Sequence, residues 1–208
     1  MTTESTPDAS GAATARRAAV RLEHATVAWN VGEVFVTVGL GIAAGSLALV
    51  AFGLDSLIEI FASVVVLWQL RDGGDVRTSR AMALVALAFL ALGLFLSATS
   101  VQALVARNHP DSSPFGILYM AIAAIAMYWL AWRKRRIGAR LGSHPLATEA
   151  RMTLLDGVLA STVLCALLAN AAFGAWWADA LAAFVVALAA LREAVDAWRD
   201  SRDPSRME

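Results

Sequence analysis

The stretch FGLDSLIEIF, Phe52 to Phe61, decides how the chain folds, because it sets Asp55 and Glu59 four residues apart in a run that is otherwise nearly all apolar from Ser46 to Leu70. Two readings compete. Ser56 and Glu59 match the S-x-x-E capping box, in which a serine and a glutamate satisfy the free amides at the start of a soluble helix. A helix starting there keeps only about 14 residues and strands the apolar run before it, short of the ~20 residues a bilayer crossing needs. The run from Ser46 to Leu70 is long enough as a single transmembrane helix. On such a helix the two carboxylates share a face with their β-carbons ~5 to 6 Å apart.

The rest of the chain has the same character. Its 208 residues are 59% hydrophobic with a mean hydropathy of +0.62, above the roughly 45 to 50% apolar content of soluble domains. Six stretches have the length and composition of membrane crossings: 24–43, 46–70, 80–104, 115–132, 148–172 and 177–197. The expected fold is an all-α integral membrane protein of six transmembrane helices over residues 23–200. Residues 1–22 are small, polar and proline-containing, with no apolar core of a cleavable signal peptide, and are expected as a disordered tail. Residues 201–208 form a second short tail. The 17 basic and 17 acidic residues cancel, so no nucleic-acid partner is expected.

Placement of the basic residues sets the orientation. Arg16, Arg17 and Arg21 precede the first span, Arg71, Arg77 and Arg80 surround the link after the second, and Arg133, Lys134, Arg135, Arg136 and Arg140 follow the fourth. Arg199, Arg202 and Arg206 follow the sixth, whereas the three opposite links carry only Arg107. The positive-inside rule then puts both termini in the cytoplasm, and the expected location is the inner (plasma) membrane. Most of the seven tryptophans fall near span ends, as interfacial anchors do. The RKRRIGAR run fixes topology and is suited to anionic lipid head groups.

An acid near the middle of a membrane helix costs at least ~2.5 to 3.5 kcal/mol and is by default a functional candidate. Asp55 lies about nine residues, or ~13 Å, into span two. Glu33 is about as deep in span one, and Asp156 is ~12 Å into span five from the other side. Three helices therefore present carboxylates at one depth, with Glu59 a turn further along. Several oxygen ligands from separate elements suit a divalent cation, and the same groups suit a proton relay. Asp179 and Glu149 stand near span ends, where each fits a mouth or a helix terminus. Asn30, Thr37, Ser97, Ser100 and Gln102 are read as helix-to-helix hydrogen bonds, and Gly32, Gly39, Gly41 and Gly45 as sites of close approach or bending. His24, His109 and His144 lie at edges or in links. Cys165 is the single cysteine and forms no disulfide framework or thiolate cluster within the chain.

With these residues in view, the sequence resembles the cation diffusion facilitator family of membrane metal exporters. GSLALVAFGLDSLIEI (Gly45 to Ile60) is similar to the family's first external turn and acidic second helix. EARMTLLDGVLAS (Glu149 to Ser161) resembles the fifth helix with its HxxxD motif, and WWADALAAFVVA (Trp176 to Ala187) the entrance of the sixth. The resemblance covers about residues 24 to 200 and implies that Asp55, Glu59 and Asp156 bind metal. The family's helix-five histidine falls at Met152, a departure that puts a soft thioether where zinc would find an imidazole. Glu33 is a further ligand or proton carrier. The family's soluble C-terminal domain and histidine-rich loop have no counterpart here, so the chain resembles short members made of the membrane portion alone.

The resemblance implies a homodimeric exporter with no bound cofactor, exchanging a divalent metal ion (Zn, Mn, Fe, Co or Cd) for protons in contact with membrane lipid. One alternative is a proton-coupled exporter of organic cations using Glu33 beside Trp29 and Phe35. Another is a non-transporting membrane partner that binds metal without turnover. An enzyme is not expected, since no HExxH pair, GxSxG turn or serine–histidine arrangement occurs at membrane depth.

Overall fold

The computed structural model describes the backbone of residues 9–72, 75–141 and 144–202, and the side chains of 26–61, 80, 83–137, 139, 150–199 and 201–202. The chain is an all-α membrane protein. It forms α1 (Ala9–Ala44), α2 (Leu47–Asp72), α3 (Asp75–Ala106), α4 (Pro114–Leu141), α5 (His144–Phe173) and α6 (Trp176–Arg202), with no strand among the described residues. Each expected span falls inside one helix, save that Ser46, the first residue of the second span, precedes α2. Thr26–Ala44, Ala83–Ala106, Pro114–Ile137 and Ala150–Phe173 are long and apolar enough to cross a membrane by length and composition. Helix α6 is more charged, carrying Asp179, Arg192, Glu193 and Asp196, and the side chains of α2 are described only as far as residue 61.

Two features depart from expectation. Helix α1 starts at Ala9, inside the segment expected as a disordered tail, and α4 continues through the RKRRIGAR run to Leu141. Alanine and arginine are strong helix formers, and both segments are rich in them. The side chains of His24, Trp68, His144 and Glu149 lie outside the described residues.

What packs the helices together is small. Ala48, Ala51, Ala123, Ala160, Ala183, Ala187 and Ala190 are all fully buried, while Phe35, Val105, Ile125 and Phe173 are each more than 70% exposed. An apolar exterior around an alanine-lined interior is the arrangement of helices in lipid, where close backbone approach replaces a hydrophobic driving force. Helix α3 runs along α6, α4 along α5 and α1 along α2, and α2 also touches α3, α5 and α6. The acid-bearing helix is thereby the hub of the bundle.

The start of α2 resolves the competition between the two readings of FGLDSLIEIF. Helix α1 ends in a Schellman turn, with Gly45 at φ +63° and Ser46 N–H bonded to the Gly41 carbonyl at 2.9 Å. Ser46 Oγ then accepts from Leu49 N–H at 3.2 Å. Asp179, from α6, accepts from the Ser46 hydroxyl at 2.5 Å, from Leu47 N–H at 2.7 Å and from Ala48 N–H at 3.3 Å. The cap of α2 is therefore built at Ser46, with a carboxylate at the positive end of the helix dipole. Ser56 lies in the helix interior. Of the two roles open to Asp179, the structure shows the helix terminus.

The α1–α2 hairpin is tight because two glycines allow it. A β-carbon on Gly41 would come within 2.7 Å of the Val50 side chain, and one on Gly53 would collide with Thr37 and Val38. Gly32 and Gly39 face open space instead. At the same end of the bundle Asp111 N–H donates to the Ala44 carbonyl at 2.8 Å, and Asn170 Nδ2 donates to the Pro110 carbonyl at 3.0 Å. At the other end Arg133, Arg136 and Arg202 lie over Trp129, Trp132 and Trp198, 5.1 to 5.6 Å from the ring centroids.

Candidate functional site

The register of the hairpin places the acids. With Thr37 against Gly53, the antiparallel pairing brings Glu33 level with Ser56 and Asn30 level with Glu59. Glu33 is buried at 2% exposure. The Trp29 indole donates to its Oε1 at 3.2 Å, and the Ser56 hydroxyl lies 3.0 Å from its Oε2. That hydroxyl is also 3.2 Å from the Phe52 carbonyl, so one proton serves two acceptors. Asn30 Nδ2 donates to Glu59 Oε2 at 3.1 Å across the helices. Trp29 in turn stacks on Tyr119 of α4, with centroids 6.2 Å apart.

Helix α5 supplies the third wall. Asp156 lines the same pocket as Glu59. Asn30, Glu33, Phe52, Asp55, Ser56, Glu59, Met127 and Asp156 line one pocket. Four carboxyl groups from α1, α2 and α5 thus share a small volume. Glu193 of α6 adds a fifth negative group whose field reaches Asp55 and Glu59. Against it, Lys134 of α4 acts on Asp156.

The sequence of α3 to α6 decides the lineage. The sequence model of the cation efflux transmembrane domain matches residues 79–203, more than half of the 208-residue chain. The chain belongs to the cation efflux family. A comparison with curated proteins found no match. As a member of the cation efflux family, the protein is a membrane transporter of metal cations. The matched segment contains Asp156, and Glu33, Asp55 and Glu59 precede it on α1 and α2.

In this cation efflux protein the pocket is closed. Its walls leave no room for a water-sized sphere. Among the described residues no three acidic, histidine or cysteine side chains stand in a geometry that surrounds an ion. Glu33 is turned to Trp29 and Ser56, and Glu59 to Asn30, contacts that a bound ion would replace.

The structure gathers Glu33, Asp55, Glu59 and Asp156 but not Met152. Met152 is 45% exposed on the outer face of α5, and the sulfur at the pocket is that of buried Met127. Four residues along a helix advance by about 40° beyond a full turn. That offset is small: Leu159 and Ala166, seven and fourteen residues on from Met152 along the same stripe, are buried, so Met152 is exposed at the N-terminal end of that stripe. Phe35 is likewise turned outward, at 76% exposure, away from Glu33.

Reading the sequence missed Ser56, Met127, Lys134 and Glu193 as neighbours of the site. A helical period through α4 would have found two of them, since Met120, Met127 and Lys134 recur every seven residues and are all buried.

Proposed function

We propose that the protein exports a divalent transition-metal ion from the cytoplasm in exchange for protons, by alternating access through the carboxyl pocket of α1, α2 and α5. The observation that carries this reading is four carboxyl groups on three helices in one closed pocket. Asp55, Glu59 and Asp156 are the proposed ligands, and Glu33 a fourth ligand or a proton carrier. Deprotonated, the groups repel and attract a dication; protonated, they pack against one another. Metal and protons therefore compete for the same oxygens, which is a route to coupling. Closure of one mouth as the other opens would come from helices rocking about the hub α2.

The donor set is oxygen, with the Met127 thioether beside it and no imidazole among the described lining residues. Oxygen-rich sites suit Mn²⁺ or Fe²⁺ better than they suit zinc, which prefers nitrogen and sulfur. Exposed Arg133, Arg135, Arg136, Arg199 and Arg202 at the C-terminal ends of α4 and α6 support a cytoplasmic placement of that end and of both termini. A homodimer in the plasma membrane completes the reading on the family resemblance.

One observation favours the organic-cation alternative: the Trp29–Tyr119 stack beside Glu33 is a surface for a flat cation. Phe35, the other aromatic residue invoked for it, faces away. Elemental analysis of the purified protein after metal loading separates the readings. Bound transition metal in the wild type and its loss in Asp156→Ala are expected, and a metal-free wild type that binds a lipophilic cation through Glu33 would replace this reading.

A further inference from the structure

Lys134 stands in a run of four basic residues, yet its environment differs from that of its neighbours. Arg133, Arg135 and Arg136 are exposed, whereas Lys134 is at 0% exposure and is among the largest fully buried side chains of the protein. Burying an ammonium is unfavourable unless a negative group compensates it. A residue needed only to mark the cytoplasmic end of a helix has no reason to turn inward.

Its position brings that charge near the carboxyl pocket. A β-carbon on Gly157 would lie 3.1 Å from the Tyr128 ring and 3.4 Å from Met127 Cβ, and Tyr128 Oη meets Ser161 Oγ at 3.0 Å. These contacts fix the antiparallel register of α4 and α5. Counting from them, Lys134 lies ~8 Å of helix rise to the cytoplasmic side of Asp156. Side chains on a helix lean toward its N-terminus. On α4 that tilts Lys134 up toward the pocket, and on α5 it tilts Asp156 down toward Lys134. The two lean toward each other along the buried face that carries Met127, and the lysine charge acts on Asp156.

We propose that Lys134 is a resident counter-cation of the carboxyl pocket, a buried positive charge whose field an incoming divalent metal must overcome. The ammonium then does two things. It lowers the repulsion among Glu33, Asp55, Glu59 and Asp156 when no metal is bound, and it weakens metal binding enough that the ion leaves. Its place on the cytoplasmic side puts this competition where the metal arrives. The proposal rests on the metal-export reading above, and it concerns a positioning residue, not a ligand.

The test has two parts. Metal titration of purified wild type, Lys134→Met and Lys134→Arg with Mn²⁺ or Cd²⁺ is expected to show about tenfold or tighter binding in Lys134→Met alone. One unit charge ~10 Å from a dication at an effective dielectric of ~20 is worth at least that factor. In proteoliposomes KM and turnover of Lys134→Met should fall together, a pattern that mere structural damage does not produce. Separately, thermal unfolding of metal-free Lys134→Met, Asp156→Asn and the double variant should be non-additive, with Asp156→Asn recovering stability lost in Lys134→Met. Equal or weaker metal binding by folded Lys134→Met, or additivity in the cycle, overturns the proposal. If the wild type binds no metal, the export reading fails and the counter-cation proposal falls with it; a non-additive cycle would then leave only the Lys134–Asp156 pairing standing.

Discussion

At the scale of single residues, the structure separates side chains that the sequence treats alike. Asp55 and Met152 were both candidate ligands, yet Asp55 is buried at the pocket and Met152 is turned outward on α5. Met152→Ala is therefore expected to leave metal affinity unchanged. Asp55→Asn is expected to weaken it by on the order of 10- to 100-fold or more, at least the loss that follows removal of a supporting partner of a ligand. Metal-induced shifts in thermal unfolding measure both, because a ligand that binds only the folded state raises Tm in proportion to its affinity. A large loss in Met152→Ala would mean that α5 rotates during binding. The acids themselves were legible in the sequence, since a carboxylate in hydrocarbon stands out wherever the helix turns it. The inward turn of Lys134 was hidden because it is one basic residue among four, and only its period with Met120 and Met127 marks it. Glu193 was hidden for a related reason: it sits among Arg192, Asp196 and Arg199, where charges read as the end of a span.

At the scale of elements, six helices were legible because each span is longer and more apolar than a soluble helix requires. Helix ends were less legible, since alanine and arginine carry α1 and α4 beyond the apolar stretches. The cap of α2 illustrates what local sequence cannot hold. An S-x-x-E box lies at Ser56, while the working cap joins Ser46 to Asp179, residues from opposite ends of the chain. This cap ties α6 to the hub helix at the end away from the basic run. Asp179→Ala removes an acceptor from one hydroxyl and two amides, and is expected to destabilise the protein by about 1 to 3 kcal/mol. Metal affinity of the folded variant should be unchanged, because Asp55 lies ~12 Å further along α2. Thermal unfolding in detergent together with metal titration checks both halves. A loss of metal binding with full stability would mean that Asp179 belongs to the transport route instead.

At the scale of the whole molecule, the bundle holds a closed pocket of four carboxyl groups on three helices, centred on a hub helix, with a buried lysine toward the end that carries the basic run. Two of its acids are held by Trp29, Asn30 and Ser56, contacts that a dication would have to part. On the proposed exchange, protons and metal compete for the same oxygens, so metal affinity should fall as pH falls. The family match gives the broad class, a membrane transporter of metal cations, and proton coupling is the proposal that the acidic pocket supports. Metal uptake into proteoliposomes with an imposed pH gradient, wild type beside Asp55→Ala, tests this most directly. The account predicts uptake in the wild type that rises with the gradient and collapses with it, and none above background in Asp55→Ala. Undiminished uptake by Asp55→Ala, or wild-type uptake indifferent to the gradient, would contradict it.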